Sequence, residues 1–290
     1  RKHSKSDQPF LAVVWFGSPH GPHQAVERDR MLYEEHNKRL QHFYGEITGM
    51  DRAFGKLRNA LHDLGIKDNT ILWYCSDNGG LPGVGSTGGR ANKGSVYEGG
   101  LRVPAILEWP AKLSAPAQTD APCNTCDIYP TLLDIAGIQM QYQPPLDGVS
   151  LVPLLDGRMK SRPEPMGFWD YPIGGIRTPS KQWMESLLKA QQQGKDVDNV
   201  FRLRLDAGAI TKKYPLDTFP GHAAWLDWPW KLHRIEKKDE VNFELYNLAE
   251  DPKEQTDVLK QHTDRAESMK AQLARWQQSV VRSLNGEDYH

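Results

Sequence analysis

Asp77 and Asn78 are two oxygen-donating side chains that follow an apolar segment, residues 71–75, after Ser76. The segment has the character of a buried strand, and ligands of open α/β sheets bind where strands end. Carboxylate and amide oxygens suit hard cations such as Ca²⁺ and Mg²⁺, and Gly79 and Gly80 allow a close approach of the backbone. Residues 76–80 also suit a β-turn closed by Asx side chains, so a turn and a metal site both stay open.

Lys93 lies in a glycine-rich region, residues 79–100, with Arg90 close by in sequence. A cation on a loop of this kind is suited to hold an oxyanion such as sulfate or phosphate. The spacing of the nucleotide-binding P-loop is absent. A solvated, flexible loop is the alternative interpretation of this region.

His20 and His23 lie in a Gly- and Pro-rich loop, residues 17–23, after a first apolar segment. A histidine that titrates near neutral pH suits acid–base work or a hydrogen bond to an anion, although most single loop histidines are surface residues. Because His20, Asp77 and Lys93 each follow a predicted strand, we expect them to converge on one rim of a sheet.

Composition excludes several classes of protein. The 290 residues carry a formal net charge of -1, which is not the balance of a nucleic-acid-binding protein. The sequence contains no apolar run of the length of a membrane span. Three cysteines cannot build a disulfide framework, and the lone pair Cys123 and Cys126 lacks the second pair that zinc needs. We therefore interpret these two as packing residues and Cys75 as buried and inert.

Hydrophobic periodicity predicts an α/β protein. Residues 10–16, 71–75 and 102–108 are strand candidates, the first of them buried on both faces. A long amphipathic helix carries an apolar stripe and ends at Gly65, and residues 127–137 form a short helix that ends at a glycine. Residues 139–180 are expected to be mostly irregular, and residues 181–193 to form a polar helix. The stripe of the long helix consists of Ile47, Met50, Phe54, Leu57, Leu61 and Leu64.

The last third of the chain predicts a small α+β subdomain. Residues 230–235 and 243–246 alternate like half-exposed strands, and a helix runs from Pro252 toward Leu284. We therefore expect two domains, residues 1–221 and residues 222–290.

Several ordered motifs together resemble the formylglycine-dependent sulfatases of the alkaline-phosphatase-like superfamily. The resemblance rests on residues 70–80, residues 93–104 and the Pro19-His20 pair after a strand. Two further pairs of segments are similar to later parts of the same family. They are residues 127–137 with 146–151, and residues 230–232 with 244–252. The resemblance implies an alkaline-phosphatase-like α/β sandwich, incomplete at its N-terminal side, with a small C-terminal α+β subdomain.

The resemblance also implies roles for individual residues. Asp77 and Asn78 would ligate a divalent cation, usually Ca²⁺ with Mg²⁺ as a second choice, and Lys93 would contact the substrate sulfate and the catalytic aldehyde hydrate. His20 would hydrogen-bond the sulfate and assist at the leaving oxygen. Weaker candidates for substrate binding are His222, Arg90 and His23. The implied substrate is a sulfate ester, in particular of a carbohydrate, and the implied location is secreted, periplasmic or lysosomal.

One family motif is missing from the sequence. The nucleophile motif, Cys or Ser followed by x-Pro-x-Arg, does not occur, since residues 114–118 and 161–165 lack the arginine. The chain therefore resembles the C-terminal portion of a sulfatase, and we expect it to be inactive without the N-terminal part that carries formylglycine. Two alternatives stay open: a phosphodiesterase or phosphonate hydrolase of the same superfamily, and a non-catalytic binding module.

Overall fold

A computed structural model describes residues 8–113, 115–172, 189–190, 193–194, 213–238 and 240–288. Most of the predicted polar helix at residues 181–193 and the serine at position 114 lie outside these ranges. The chain divides into two compact units: unit 1 comprises residues 1–121 with 153–160, and unit 2 comprises residues 122–152 with 161–290.

The described residues form six α-helices and six strands. The helices are α1 Glu27–Arg30, α2 Lys38–Asp63, α3 Glu98–Leu101, α4 Ile128–Ala136, α5 Val152–Leu155 and α6 Thr263–Leu284. The strands are β1 Leu72–Cys75, β2 Ala105–Glu108, β3 Met166–Asp170, β4 His222–Asp227, β5 Trp230–Lys237 and β6 Glu240–Asn247. Short 3-10 turns cover Met31–Tyr33, Thr125–Asp127 and Leu259–Gln261. None of the described helices combines the length and apolarity that a membrane span requires.

Helix α2 confirms the long amphipathic helix of unit 1. Its N-terminus is capped by Asn37, whose side chain accepts a hydrogen bond from the Leu40 N–H at 3.1 Å. It ends before Gly65, which has a positive φ of 68°. The predicted apolar stripe is half-buried along the whole helix, as expected of an amphipathic surface helix.

Strands β1 and β2 of unit 1 pair antiparallel, with Cys75 opposite Ala105. They confirm two of the three predicted strands. The buried strand predicted at residues 10–16 is wrong, because these residues have no strand assignment and Leu11 and Trp15 are 72% and 92% exposed. An apolar run becomes a strand only where a neighbouring strand takes its backbone hydrogen bonds, and no strand in the described ranges pairs with it.

Unit 2 contains an antiparallel sheet in the order β3-β4-β5-β6. Helix α6 packs on one face of it, where Trp225, Leu232 and Leu245 are neighbours across three strands. The hydrophobic core on this face comprises Ala223, Trp225, Leu232, Leu245, Ala266, Met269 and Leu273.

Three expectations for this unit are corrected. Residues 166–170 are predicted to be irregular, but they form strand β3, because each of them pairs with a residue of β4. The last helix begins at Thr263 and not near Pro252. Strand β5 is not half-exposed, since residues 231–233 have no exposed surface on either face. The sheet also includes β3, which precedes position 222 in the chain. The boundary between two domains at residues 221 and 222 stays a prediction.

Candidate functional site

The glycine-rich region of unit 1 folds back on itself through close contacts between backbone segments. A Cβ atom at Gly79 would overlap the Gly99 carbonyl, and one at Gly99 or Gly100 would overlap the carbonyls of Ala91 or Ser95. These positions accept only glycine because another backbone segment occupies the space of a side chain. The glycines therefore bring segments distant in sequence into contact.

Backbone hydrogen bonds hold the same segments together. The Gly79 N–H donates to the Gly100 carbonyl at 2.8 Å, and the Lys93 N–H donates to the Gly80 carbonyl at 2.9 Å. The Ser76 N–H, directly after β1, donates to the Pro104 carbonyl at 3.4 Å, directly before β2. The Lys93 backbone is thus fixed against the loop that follows β1, and the convergence of the His20, Asp77 and Lys93 side chains stays a prediction.

Asp77 and Asn78 occupy the turn at the end of β1. Asp77 is exposed, and its carboxylate accepts no hydrogen bond from the described residues. The Asn78 amide nitrogen donates to the Gly79 carbonyl at 2.9 Å, and the Ser76 hydroxyl donates to the Asn78 carbonyl at 3.1 Å. Both the turn and two side chains with oxygen donors, exposed Asp77 and half-buried Asn78, are therefore present.

Lys93 supplies the positive charge of this region. Its side chain is half-buried, and its ammonium makes no hydrogen bond or ion pair with any residue in the described ranges. Arg90, by contrast, stacks on the Tyr97 ring, with the guanidinium carbon 3.9 Å from the ring centroid. This stacking orients Arg90 within the loop, so the lysine is the better candidate for contact with an anion.

The two histidines of the first loop have different environments. His20 is exposed, and its hydrogen bonds within the described structure stay inside residues 17–21. His23 is largely buried; its Nδ1 lies 3.2 Å from Oε2 of Glu46 of α2, and its ring meets the edge of Phe43. Neither ring joins the hydrogen bonds that connect Lys93 with residues 77–80, and the substrate-binding roles of both histidines stay predictions.

A divalent cation fits part of this site. Asp77 and Asn78 offer two oxygen donors on one turn, whereas Ca²⁺ takes six to eight. Within the described residues, no cluster of three or more His, Cys, Asp and Glu side chains could hold a metal. Asp77 and Asn78 are therefore suited to be part of a larger ligand set.

The cysteines keep their protons. Burial raises the pKa of the Cys75 thiol, and the neighbouring Asp77 charge raises it further. Desolvation by the surrounding protein likewise raises the pKa values of Cys123 and Cys126. All three are free thiols, and Cys75 is half-buried, but Cys123 and Cys126 are exposed, so the prediction that these two are packing residues is wrong.

His222 belongs to unit 2, at the start of β4. Its Nε2 atom lies 2.9 Å from Nδ1 of His233, a buried residue of β5. Burial, and after it the adjacent His233, lowers the pKa of His222 to about 4. The ring is therefore neutral near pH 7.

Sequence reasoning missed the partners of two histidines. Glu46 of α2 is the partner of His23, which lies 23 residues earlier in the chain. Local spacing along the helix does not indicate a partner at that distance in sequence. Unit 2 contains a fully buried group of three charged or polar side chains, Lys231, His233 and Glu254. The alternation of polar and apolar residues along β5 predicts instead that its polar side chains face the solvent. Only the tertiary contacts show either arrangement.

Comparison with known proteins gives one consistent result. Residues 2–138 match the family model described as Sulfatase. The chain is 31% identical over 170 residues to the sulfatase YdeN of Escherichia coli (strain K12), covering 56% of this chain and 30% of that protein. It is 34% identical over 128 residues to human N-acetylgalactosamine-6-sulfatase, covering 41% of this chain and 24% of that protein.

A solved structure extends the likeness to the whole fold. The crystal structure of Ps i-CgsB in complex with k-i-k-neocarrahexaose matches with a TM-score of 0.72 and 22% identity, over 100% of this chain and 58% of that chain. The matched segment spans less than a third of the length of the two curated relatives. The mixed α/β architecture is that of part of a sulfatase fold, and residues 2–138 match the sulfatase family model.

Proposed function

We propose that this chain supplies sulfate-binding and metal-binding residues for the hydrolysis of a sulfate ester of a carbohydrate. The observation that carries the proposal is the hydrogen bond from the Lys93 N–H to the Gly80 carbonyl, which fixes a half-buried lysine beside the turn of Asp77 and Asn78. The match to the family model and the names of the matched proteins support the substrate class.

Lys93 would bind the sulfate through charge-assisted hydrogen bonds. A sulfate ester carries a negative charge, and a fixed ammonium stabilises the charge that grows as the S–O bond breaks. Because residues 79–100 hold the Lys93 backbone, little rearrangement is needed to present the ammonium to the substrate. His20, exposed on its own loop, would assist at the leaving oxygen, as the resemblance implies.

Asp77 and Asn78 would hold one side of a Ca²⁺ ion, with Mg²⁺ as the second choice. The exposed carboxylate of Asp77 and the amide oxygen of Asn78 are hard oxygen donors. When bound, such an ion stabilises negative charge on the transferring group. The formylglycine nucleophile has no motif in this sequence, so the proposal assigns binding and charge stabilisation to this chain. By the same resemblance, the protein would act outside the cytosol, as a secreted, periplasmic or lysosomal protein.

Binding measurements on the full 290-residue chain test the proposal. We expect Lys93→Gln to weaken binding of a sulfated monosaccharide such as N-acetylgalactosamine 6-sulfate by about 10- to 100-fold, the value of a hydrogen bond to a charged group. The matched control is Lys56→Gln, which removes an exposed lysine of α2. Calorimetry that gives equal affinities for the Lys93 variant and the unchanged chain would refute the sulfate-binding role.

A further inference from the structure

The loop that carries His20 is hydrogen-bonded to helix α2 by the carboxylate of Glu46. Oε1 of Glu46 accepts the Gln24 N–H at 2.6 Å, and Oε2 lies 3.2 Å from Nδ1 of His23. Because a carboxylate oxygen only accepts, Nδ1 of His23 carries the hydrogen of the second contact. Glu46 makes no other hydrogen bond or ion pair with the described part of the chain, so both of its oxygens hold this loop. We call residues 17–24 the histidine loop.

Water has little access to these contacts. The side chains of His23 and Glu46 are only 10% and 9% exposed. Hydrogen bonds to a charged acceptor are roughly twice as strong as neutral ones, and a low local dielectric strengthens them further. The His23 ring also meets the edge of Phe43, with the ring centroids 5.2 Å apart. The histidine loop is therefore attached to α2 by shielded polar contacts and by aromatic packing.

The segment that follows the histidine loop packs tightly on the same helix. A Cβ atom at Gly45 would lie 2.6 Å from the Ala25 Cβ and 3.0 Å from the Arg30 nitrogen, so only glycine allows this approach. Buried Asp29 forms an ion pair with Arg52, two turns further along α2. The C-terminal end of the histidine loop therefore has a fixed position relative to α2.

Local contacts orient His20 within the histidine loop. Its N–H donates to the Gly17 carbonyl at 3.1 Å, and its Nδ1 lies 2.8 Å from the Gly21 carbonyl oxygen. A carbonyl oxygen only accepts, so Nδ1 carries the hydrogen, and Nε2 of the neutral ring has a lone pair. Pro19 and Pro22 restrict the backbone on either side. Because Nδ1 is engaged inside the loop, Nε2 is the nitrogen with which His20 would contact a ligand.

The N-terminal side of the histidine loop gives it little support. Residues 10–16 precede the loop and pair with no strand in the described ranges. The described hydrogen bonds between the loop and the rest of unit 1 are the two that Glu46 accepts. A side chain that has to be ordered when a ligand binds lowers the affinity by about 2- to 10-fold. Ligand binding at His20 therefore depends on how firmly Glu46 holds the loop.

We propose that Glu46 is a positioning residue for His20, because it anchors the loop from which His20 would hydrogen-bond a sulfate ester. The part that concerns the sulfate ester rests on the proposed function, whereas the anchoring rests on the contacts of Glu46 with His23 and Gln24. Glu46 acts on His20 only through the backbone of the histidine loop, and no contact of Glu46 with a ligand is required.

Hydrogen exchange at the Gln24 amide tests the anchoring without any variant. Gln24 is exposed, so its N–H would exchange rapidly if water were its only partner. We expect exchange in the full-length chain to be about tenfold slower or more than in a short unstructured peptide of the same sequence. Exchange at the rate of the peptide would overturn the anchoring.

Two variants of Glu46 test the positioning of His20 by nitrogen-15 NMR of the full-length chain. In Glu46→Ala, which removes both acceptors, we expect the neutral His20 ring to lose its single Nδ1-protonated state. The affinity for N-acetylgalactosamine 6-sulfate should fall by about 2- to 10-fold, the effect of a side chain that has to be ordered on binding.

The conservative variant should rescue both properties. In Glu46→Gln the amide oxygen can accept the Gln24 N–H and the amide nitrogen can donate to Nδ1 of His23, so we expect an affinity within about twofold of the unchanged chain. The matched control is Asp51→Ala, which removes an exposed acid of α2 and should change neither the His20 signals nor the affinity.

The outcomes separate this inference from a purely structural role and from the proposed function. Folded Glu46→Ala with a lower free energy of unfolding but unchanged His20 signals would overturn the positioning role. If Glu46→Ala does not fold, His23→Phe keeps a ring against Phe43 and removes one contact of Glu46, and unchanged His20 signals in that variant would overturn the role. Changed His20 signals in a chain that binds no sulfated saccharide would refute the proposed function, while the anchoring of the histidine loop would stand.

Discussion

Gly79→Ala is the sharpest test of how unit 1 positions its candidate site. An added Cβ would overlap the Gly99 carbonyl and lie 3.0 Å from the Gly100 Cα. Non-bonded carbon atoms make contact at about 3.5–4.0 Å, and the overlap with the Gly99 carbonyl oxygen is the closer of the two contacts, so the two segments must separate by more than about 1 Å. The hydrogen bond from the Gly79 N–H to the Gly100 carbonyl, now 2.8 Å long, would lengthen with them.

The magnitude follows from this geometry. Overpacking of a close contact costs about 1–3 kcal/mol in free energy of unfolding. Because Asp77 and Asn78 immediately precede Gly79, we expect the affinity for Ca²⁺ to fall about tenfold or more, the effect of disturbing the groups that orient metal ligands. The free energy of unfolding is measured by urea denaturation, and the Ca²⁺ affinity by calorimetry on the full-length chain.

The matched control is Gly55→Ala in helix α2. No atom lies within 4 Å of a Cβ at Gly55, and alanine favours the helix, so we expect this variant to gain about 0.5–1 kcal/mol. If Gly79→Ala keeps both the stability and the Ca²⁺ affinity of the unchanged chain, then the close backbone approach does not position Asp77 and Asn78, and the reasoning is refuted.

Four further predictions address the chemistry and the stability. In an enzyme that contains this chain together with the nucleophile, Lys93→Ala should lower kcat by about two to three orders of magnitude in a fluorogenic sulfate-ester assay, and an unchanged rate would remove Lys93 from the site. The 290-residue chain assayed by itself should show no turnover, since the nucleophile motif is absent from its sequence. Arg162→Ala should lower the free energy of unfolding by about 3–5 kcal/mol, because it leaves the buried Asp127 carboxylate without the two hydrogen bonds, 2.7 and 2.8 Å long, that Arg162 donates to it. The control Arg158→Ala removes an exposed ion pair with Asp156 and should lower it by less than about 1 kcal/mol. The free energy of unfolding should fall as the pH drops from 6.5 toward 4, because in this window the unfolded chain binds a proton at His222 that the folded chain does not. The loss of stability should be about 1–2 kcal/mol, since solvent partly screens a half-buried ring. Equal urea midpoints at pH 7 and pH 5 would contradict this prediction.

Local patterns in the sequence determined the elements that depend on neighbours along the chain. The apolar stripe and Gly65 predicted the position and the end of α2, and Gly137, with a φ of 63°, ends α4 as predicted. Strands β1 and β2 followed from apolar runs next to turn residues. The motifs around Asp77 and Lys93 carried the resemblance to sulfatases, and residues 2–138 match the sulfatase family model, because the order and chemistry of several motifs are encoded in sequence. Helix periodicity and turn chemistry involve residues a few positions apart, so sequence alone can express them.

Contacts between distant segments decided what the patterns could not. Residues 10–16 have the composition of a strand but pair with no described strand, and β3 forms in a region of weak pattern because β4 lies beside it. Alternation along β5 predicts that the side chains of Lys231 and His233 face the solvent. Glu254, which lies 21 residues beyond His233, contacts both from a residue with left-handed backbone conformation, and all three side chains are buried. Burial and pairing depend on which segments meet in space, and the free energy of a buried charge depends on its partner. The sequence by itself therefore predicted which residues would bind sulfate and a metal ion, and only the tertiary structure decided the burial of His222 beside His233 and the backbone contacts that fix Lys93.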